Sequence, residues 1–208
     1  MKQPRTFPLL ALFFALFVPA VAFAQTGYKP GDKAQDFSLK NALDGNMVSL
    51  AGLSDINGAI VVFTCNHCPF SKAYESRIIE LHKKFADKGY PVVAINPNDP
   101  AIQPEDSFDN MKLLATEKGY PFPYLFDDTQ EIAKAYGATR TPHVYILQKH
   151  TDGGFYVAYI GAIDDNSSDP DNVKVRYVED ALVNVMTGSQ PSVAITKAIG
   201  CTIKWRKN

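Results

Sequence analysis

Cysteine is scarce in this chain, with three residues in 208. A chain stapled by disulfides carries more of them, and in even number. Two of the three share one motif, so the usage points to chemistry rather than to scaffolding. Metal-ligating residues are also few. Beyond Cys65 and Cys68 only Cys201, His67, His82, His143 and His150 remain. Apart from His67 inside the motif they are scattered, which argues against a structural zinc site with its paired, closely spaced ligands. Charge of either sign is not in excess, at 21 basic against 22 acidic residues. That balance argues against a nucleic acid or an anionic membrane as partner. After residue 24 no apolar run reaches the roughly 20 residues that a bilayer span needs. Repeats and low-complexity segments are absent.

What is present begins with an export signal. Lys2 and Arg5 open the chain, residues 9–18 are apolar, and Ala22-Phe23-Ala24 offers small residues for cleavage. We expect residues 1–24 to be a signal peptide and the protein to be periplasmic or secreted, with no membrane association after cleavage. Removal of two basic residues leaves 19 against 22 acidic ones, a charge of about −3. The rest divides into one domain over residues 25–190 and a C-terminal tail, 191–208, expected to pack on it.

The most informative segment is Cys65-Asn66-His67-Cys68. It follows the β-branched apolar run at residues 59–63 and precedes a helical pattern over 71–88, so the thiols sit at a strand-to-helix junction. A helix N-terminus presents unpaired N–H groups and the positive end of the dipole, and both favour a thiolate. The thiolate is the attacking species in disulfide exchange. A free cysteine has a pKa of roughly 8.5, and such motifs bring it to about 3.5–7.5. A depression of two units needs roughly 2.7 kcal/mol, of which the dipole supplies up to about 2 kcal/mol. His67 can supply the remainder as a cation or a hydrogen-bond donor, with Thr64 and Asn66 as the other expected tuning residues. Two readings of the nucleophile stand side by side. Motif order nominates Cys65, with Cys68 resolving. Pro69 nominates Cys68, because proline favours the first helical position and would make Cys68 the N-cap.

Around the motif the pattern is α/β. Residues 36–39 and 47–50 flank Asp44-Gly45 as a hairpin. A strand at 59–64, the helix at 71–88 and a strand at 92–95 form a parallel βαβ unit. Helices follow at 106–118 and 129–136, the latter with Thr129 as N-cap and Gly137 as its stop. A short strand lies between them at 124–126. Strands at 144–147 and 156–160 suit an antiparallel pair, and a closing helix at 173–187 turns Val178, Leu182, Val185 and Met186 inward. Residues 164–169 are rich in Asp but lack the Gly and Glu of a calcium loop, so a solvated turn is expected there.

These residues resemble a family. The Cys-x-x-Cys after a strand, a middle helix, and Thr141-Pro142 entering a hairpin look like the thioredoxin fold: a central mixed sheet flanked by helices, here with an N-terminal hairpin extension and a C-terminal tail. The segments Asp36-Phe37-Ser38-Leu39, Cys65 to Phe70, Ala94 to Asp99, Phe122-Pro123-Tyr124-Leu125 and Gly200 to Trp205 are similar to peroxiredoxin-like redoxins of the AhpC/TSA group. The resemblance implies a cis Pro142 and a Thr141 backbone that pairs with bound substrate. It implies a thiol–disulfide oxidoreductase cycling a Cys65–Cys68 couple without a cofactor, acting on protein or small-molecule disulfides and fed by an unidentified redox partner. A thiol peroxidase is the alternative within the group. Its pattern has a proline seven residues, and a Thr or Ser three residues, before the reactive cysteine. From Cys68 those places hold Val61 and Cys65, and from Cys65 they hold Gly58 and Val62. A further alternative resembles the Sco copper chaperones, with Cys65, Cys68 and His143 as a soft three-ligand set for Cu(I). Cys201 and Trp205 are expected to pack on the core, with a resolving role for Cys201 as the lesser reading.

Overall fold

The computed structural model describes residues 27–207, so the expected signal peptide lies outside the described residues. Strands β1 (Ser38–Asn41) and β2 (Met47–Ser49) form the anticipated hairpin around Asp44-Gly45. The apolar run becomes β3 (Gly58–Phe63), every residue of it buried. Then come α1 (Pro69–Phe85) and β4 (Val92–Asn96), which lies parallel to β3. Helix α2 (Phe108–Glu117), β5 (Tyr124–Phe126) and α3 (Glu131–Tyr136) follow. A two-residue strand, β6 (Arg140–Thr141), leads into the β7 (His143–Lys149) and β8 (Phe155–Gly161) pair. Helix α4 (Tyr177–Met186) and β9 (Cys201–Thr202) close the chain.

Seven strands form one mixed sheet in the order β2-β1-β5-β4-β3-β7-β8, and β6 pairs with β9 in a separate ribbon. The alternation of side chains along β3 divides the core into two layers. Ile60 and Val62 join the side covered by α1, α2 and α4, where Tyr74, Leu81, Met111 and Leu182 pack. Ala59, Val61 and Phe63 join the other side, with Ile132, Ala133 and Tyr136 of α3 and Ile203 of the tail. A strand buried on both faces has no polar alternation, which is why this one reads as a continuous apolar run. This is the mixed α/β architecture expected, a thioredoxin-like fold with an N-terminal hairpin.

Three local expectations are corrected. Thr129 is not the N-cap of α3. Gln130 holds that place at φ 61°, and the amide of Ala133 donates instead to Asp127 at 2.8 Å. Met186 ends α4 partly exposed rather than facing inward, because Val178, Ala181, Leu182 and Val185 already fill that face. Asp164 is not part of a solvated turn; it is buried against Arg77 and Tyr74.

Candidate active site

The N-terminus of α1 lies at the C-terminal end of β3. Cys68 is its N-cap with an extended backbone (φ −65°, ψ 127°), and Pro69 begins the helix. Proline there loses nothing, since that N–H has no intrahelical partner. Of the two places considered for the dipole, Cys68 holds the closer one. Neither motif cysteine is exposed, and Cys68 is completely buried.

Both sulfurs meet one residue. Cys65 Sγ lies 3.1 Å from Thr141 Oγ1, and Cys68 Sγ lies 3.3 Å from the Thr141 carbonyl oxygen. The Thr141–Pro142 peptide bond is cis, as the resemblance implied. Thr141 and Pro142 therefore stand beside the motif.

The sulfur pairing differs from expectation. Cys68 is bonded to Cys201, with Cα atoms 6.1 Å apart, and Cys65 is a free, buried thiol. The cause is the β6–β9 ribbon, whose register sets Thr141 opposite Cys201. Because Cys68 Sγ already faces Thr141, the tail delivers Cys201 to Cys68 rather than merely packing it on the core. In the same ribbon the backbone of Thr141 pairs with the chain's own tail.

His67 enters a polar cluster that the motif alone does not disclose. Its Nδ1 lies 2.6 Å from Oδ2 of the wholly buried Asp106. Asp106 also accepts from the Asn66 amide at 2.6 Å, from Asn98 Nδ2 at 2.8 Å and from Asn96 Nδ2 at 3.3 Å. A carboxylate offers about four acceptor sites, so these four donors satisfy it without a solvent contact. The neighbouring Cys65 thiol is the largest influence raising the His67 pKa; burial opposes it, and the Asp106 charge adds to the rise. Tyr124 donates to the Asn66 side chain at 2.8 Å, and burial, reinforced by Cys65, pushes its phenol well above its usual range. Thr64 is buried and lines a narrow crevice with Cys65, Asn66, Ser71, Lys72 and Glu75.

His143 does not join the cysteines. Among the described residues the ligand atoms that gather within 4.8 Å of one another are those of Cys65, His67 and Asp106. His143 sits on β7 across from Phe63, with its ring 4.9 Å from that of Tyr145, and burial lowers its pKa to about 4. The Cys65–Cys68–His143 ligand set is therefore not assembled, and Cys68 has already spent its thiol on Cys201. Asp106, Asn96 and Asn98 were missed as site residues, although Asn96-Pro97-Asn98 belongs to a segment that carries the family resemblance. An acid at the start of a helix gives no sign from sequence that it turns inward beneath a histidine 39 residues away.

A sequence profile described as the AhpC/TSA family matches residues 30–152. A crystal structure of an uncharacterized conserved protein from Geobacillus kaustophilus shares 39% identity, covering 86% of this chain and 94% of that one, with a TM-score of 0.79. The thiol-disulfide oxidoreductase ResA of Halalkalibacterium halodurans is 23% identical over 122 residues, 59% of this chain. That match spans 64% of the ResA chain. A thioredoxin family protein from Chlorobium tepidum, described as a thiol:disulfide interchange protein, has a TM-score of 0.52 at 23% identity, covering 69% of this chain and 93% of its own. It bears on the fold alone.

Proposed function

The chain belongs to the AhpC/TSA family, and we propose that it is an exported thiol–disulfide oxidoreductase whose working couple is Cys65 and Cys68. The observation that carries this reading is the convergence of both sulfurs on Thr141, with Cys68 capping a 17-residue helix. The kinship with ResA supports it. Export rests on the signal-like residues 1–24. Among the described residues, no helix is long and apolar enough to cross a membrane.

In this reading Cys68, as thiolate at the helix N-terminus, attacks a substrate disulfide. A bond forms between Cys68 Sγ and one substrate sulfur, and the other substrate sulfur leaves as a thiolate that is then protonated. Cys65 next attacks Cys68 Sγ, closing Cys65–Cys68 and releasing the second substrate thiol. The substrate gains two electrons and the couple loses two. An external dithiol, the unidentified redox partner, returns them. His67 is placed to hold the proton that Cys65 gives up. The peroxidase alternative has less support, because neither cysteine has the upstream proline and hydroxyl residue that chemistry uses.

The test is insulin reduction with dithiothreitol as donor. Turnover by the wild-type chain and its loss in Cys65→Ser/Cys68→Ser is the expected result. Equal turnover in the double variant would end the assignment.

A further inference from the structure

We propose that Cys201 is a third redox cysteine, and that residues 200–202 are an internal peptide substrate exchanged on and off Cys68 by Cys65. The proposal rests on the oxidoreductase reading above and names what its site holds at rest. Strand β9 lies antiparallel on β6, with Arg140 opposite Thr202 and Thr141 opposite Cys201. An extended peptide on a sheet edge, with its cysteine bonded to the enzyme, is the geometry of a mixed disulfide with a substrate. Here the peptide is covalently part of the same chain.

Gly200 shows that this seat is fitted. A Cβ at that position would lie 2.2 Å from the Thr141 carbonyl oxygen, 2.6 Å from its carbon and 3.0 Å from the Pro142 nitrogen. All three are backbone atoms, so no side-chain rotation relieves the clash. The residue before the cysteine must therefore be glycine for the tail to approach this closely. The same constraint applies to an external substrate. The site favours an extended peptide disulfide with glycine before its cysteine.

The segment is a strap fastened at both ends. Upstream, the Ile160 amide donates to Ala194 O at 3.0 Å and the Thr196 amide donates to Ile160 O at 2.9 Å. Downstream, the Lys204 amide donates to Asn98 Oδ1 at 2.8 Å, and Gln130 Nε2 donates to Lys204 O at 2.9 Å. Asn98 also serves Asp106, so one polar network carries both the motif histidine and the strap. When the Cys68–Cys201 bond opens, these anchors keep Cys201 nearby, at an effective concentration of order millimolar or higher.

The chemistry balances without an outside reagent. Cys65, as thiolate, attacks Cys68 Sγ. The Cys65–Cys68 bond forms, the Cys68–Cys201 bond breaks, and Cys201 leaves as a thiolate that takes up the proton Cys65 released. No electrons enter or leave, and the step is reversible. An external disulfide is attacked by the buried Cys68 only when the strap has lifted and an external dithiol has reduced the Cys65–Cys68 bond, becoming a disulfide itself.

The experiment maps disulfides in the oxidised full chain after acid quenching and alkylation of free thiols, by peptide mass spectrometry, beside the insulin assay. Wild type should yield the Cys68–Cys201 peptide with Cys65 alkylated. Gly200→Ala should switch the pairing to Cys65–Cys68 with Cys201 alkylated, and raise turnover at micromolar insulin about tenfold as the millimolar internal competitor is lost. Unchanged pairing in Gly200→Ala, or a wild-type chain that links only Cys65 to Cys68 in every glutathione buffer, would overturn the proposal. If Gly200→Ala does not fold, Cys201→Ser decides. Cys65 should then be protected by Cys68, and a freely alkylated Cys65 in that oxidised variant refutes the exchange. Switched pairing with no insulin turnover in any form rejects the oxidoreductase reading alone. Wild-type turnover with unswitched pairing rejects the strap alone.

Discussion

Nδ1 of His67 lies 2.6 Å from Oδ2 of Asp106, and that carboxylate has no exposure to solvent. Asp106 also accepts from the Asn66 amide, Asn96 and Asn98, so Nδ1–H is the donor and the tautomer of His67 is set by its partner. Cys65 contributes more than Asp106 to raising the pKa of the ring. The expected outcome in an imidazole proton NMR titration is a His67 midpoint above 6.5 in the reduced protein, lowered more by Cys65→Ala than by Asp106→Asn. The sign for stability follows from the raised folded value. The contribution of His67 is fully present below about pH 6.5 and is lost as pH rises through the folded pKa. A midpoint indifferent to Cys65→Ala would remove the thiol from this account.

Asp106 itself is the keystone of the cluster. Asp106→Ala takes the acceptor from the Asn66 amide, Asn96 and Asn98 at once. Leaving a buried donor unpaired costs roughly 1–3 kcal/mol, so the variant should lose about 3 kcal/mol or more of unfolding free energy in urea. It should also release the strap, since Asn98 is the residue that holds the Lys204 amide. Faster backbone hydrogen exchange at Lys204 in Asp106→Ala, beyond the global loss of stability, is the second expected reading. A loss below 1 kcal/mol would mean that water replaces the carboxylate.

The sequence disclosed the scaffold better than the site. The β3–α1–β4 unit was legible because continuous β-branched runs and a helical apolar period are local signals. The capping place of Cys68 was legible from Pro69, and the Thr141–Pro142 turn from the resemblance. What was missed depends on contacts between segments distant in the chain. Asp106 meets His67 across 39 positions, and Cys201 meets Cys68 across 133. Strands β6 and β9 hold two residues each, too short for any alternation to show. Thr129 stands next to the helix, but the amides of Ile132 and Ala133 turn to Asp127, two residues further back.

His143 gives a stability effect of opposite sign. Burial lowers its pKa to about 4 from an ordinary 6.5. The folded protein thus prefers the neutral ring, and the stability linked to it is present above pH 6.5 and is lost as pH falls toward 4. The full effect is of order 3 kcal/mol. His143→Phe should flatten the decline in urea stability over that window while leaving the neutral-pH value within about 1.5 kcal/mol. The same variant should bind Cu(I) no differently from wild type, because His143 is not gathered with the cysteines. A tight copper complex lost on His143→Ala would revive the chaperone alternative.

Arg77 and Asp164 supply a buried ion pair away from the thiols, and it tests how α1 is held. Arg77 Nη1 donates to Asp164 Oδ2 at 2.6 Å and to Asn166 O at 2.8 Å. Tyr74 donates to the other Asp164 oxygen at 2.8 Å, and its ring lies 3.9 Å from the guanidinium carbon. The pair fastens the middle of α1 to the loop after β8. Asp164→Ala leaves a buried guanidinium without its counter-charge, and removing one partner of such a pair costs about 3–5 kcal/mol. Replacing both partners by apolar residues of similar volume removes the desolvation penalty along with the attraction, and is often neutral. Arg77→Met/Asp164→Leu should therefore be more stable in urea than Asp164→Ala alone, despite being the larger change. Disulfide mapping of the double variant should still give Cys68–Cys201, because the pair lies two turns along the helix from its N-cap. If the double variant is the less stable one, the hydrogen bonds to Asn166 and Ser167 hold the guanidinium without its carboxylate, and the unpaired-charge account fails.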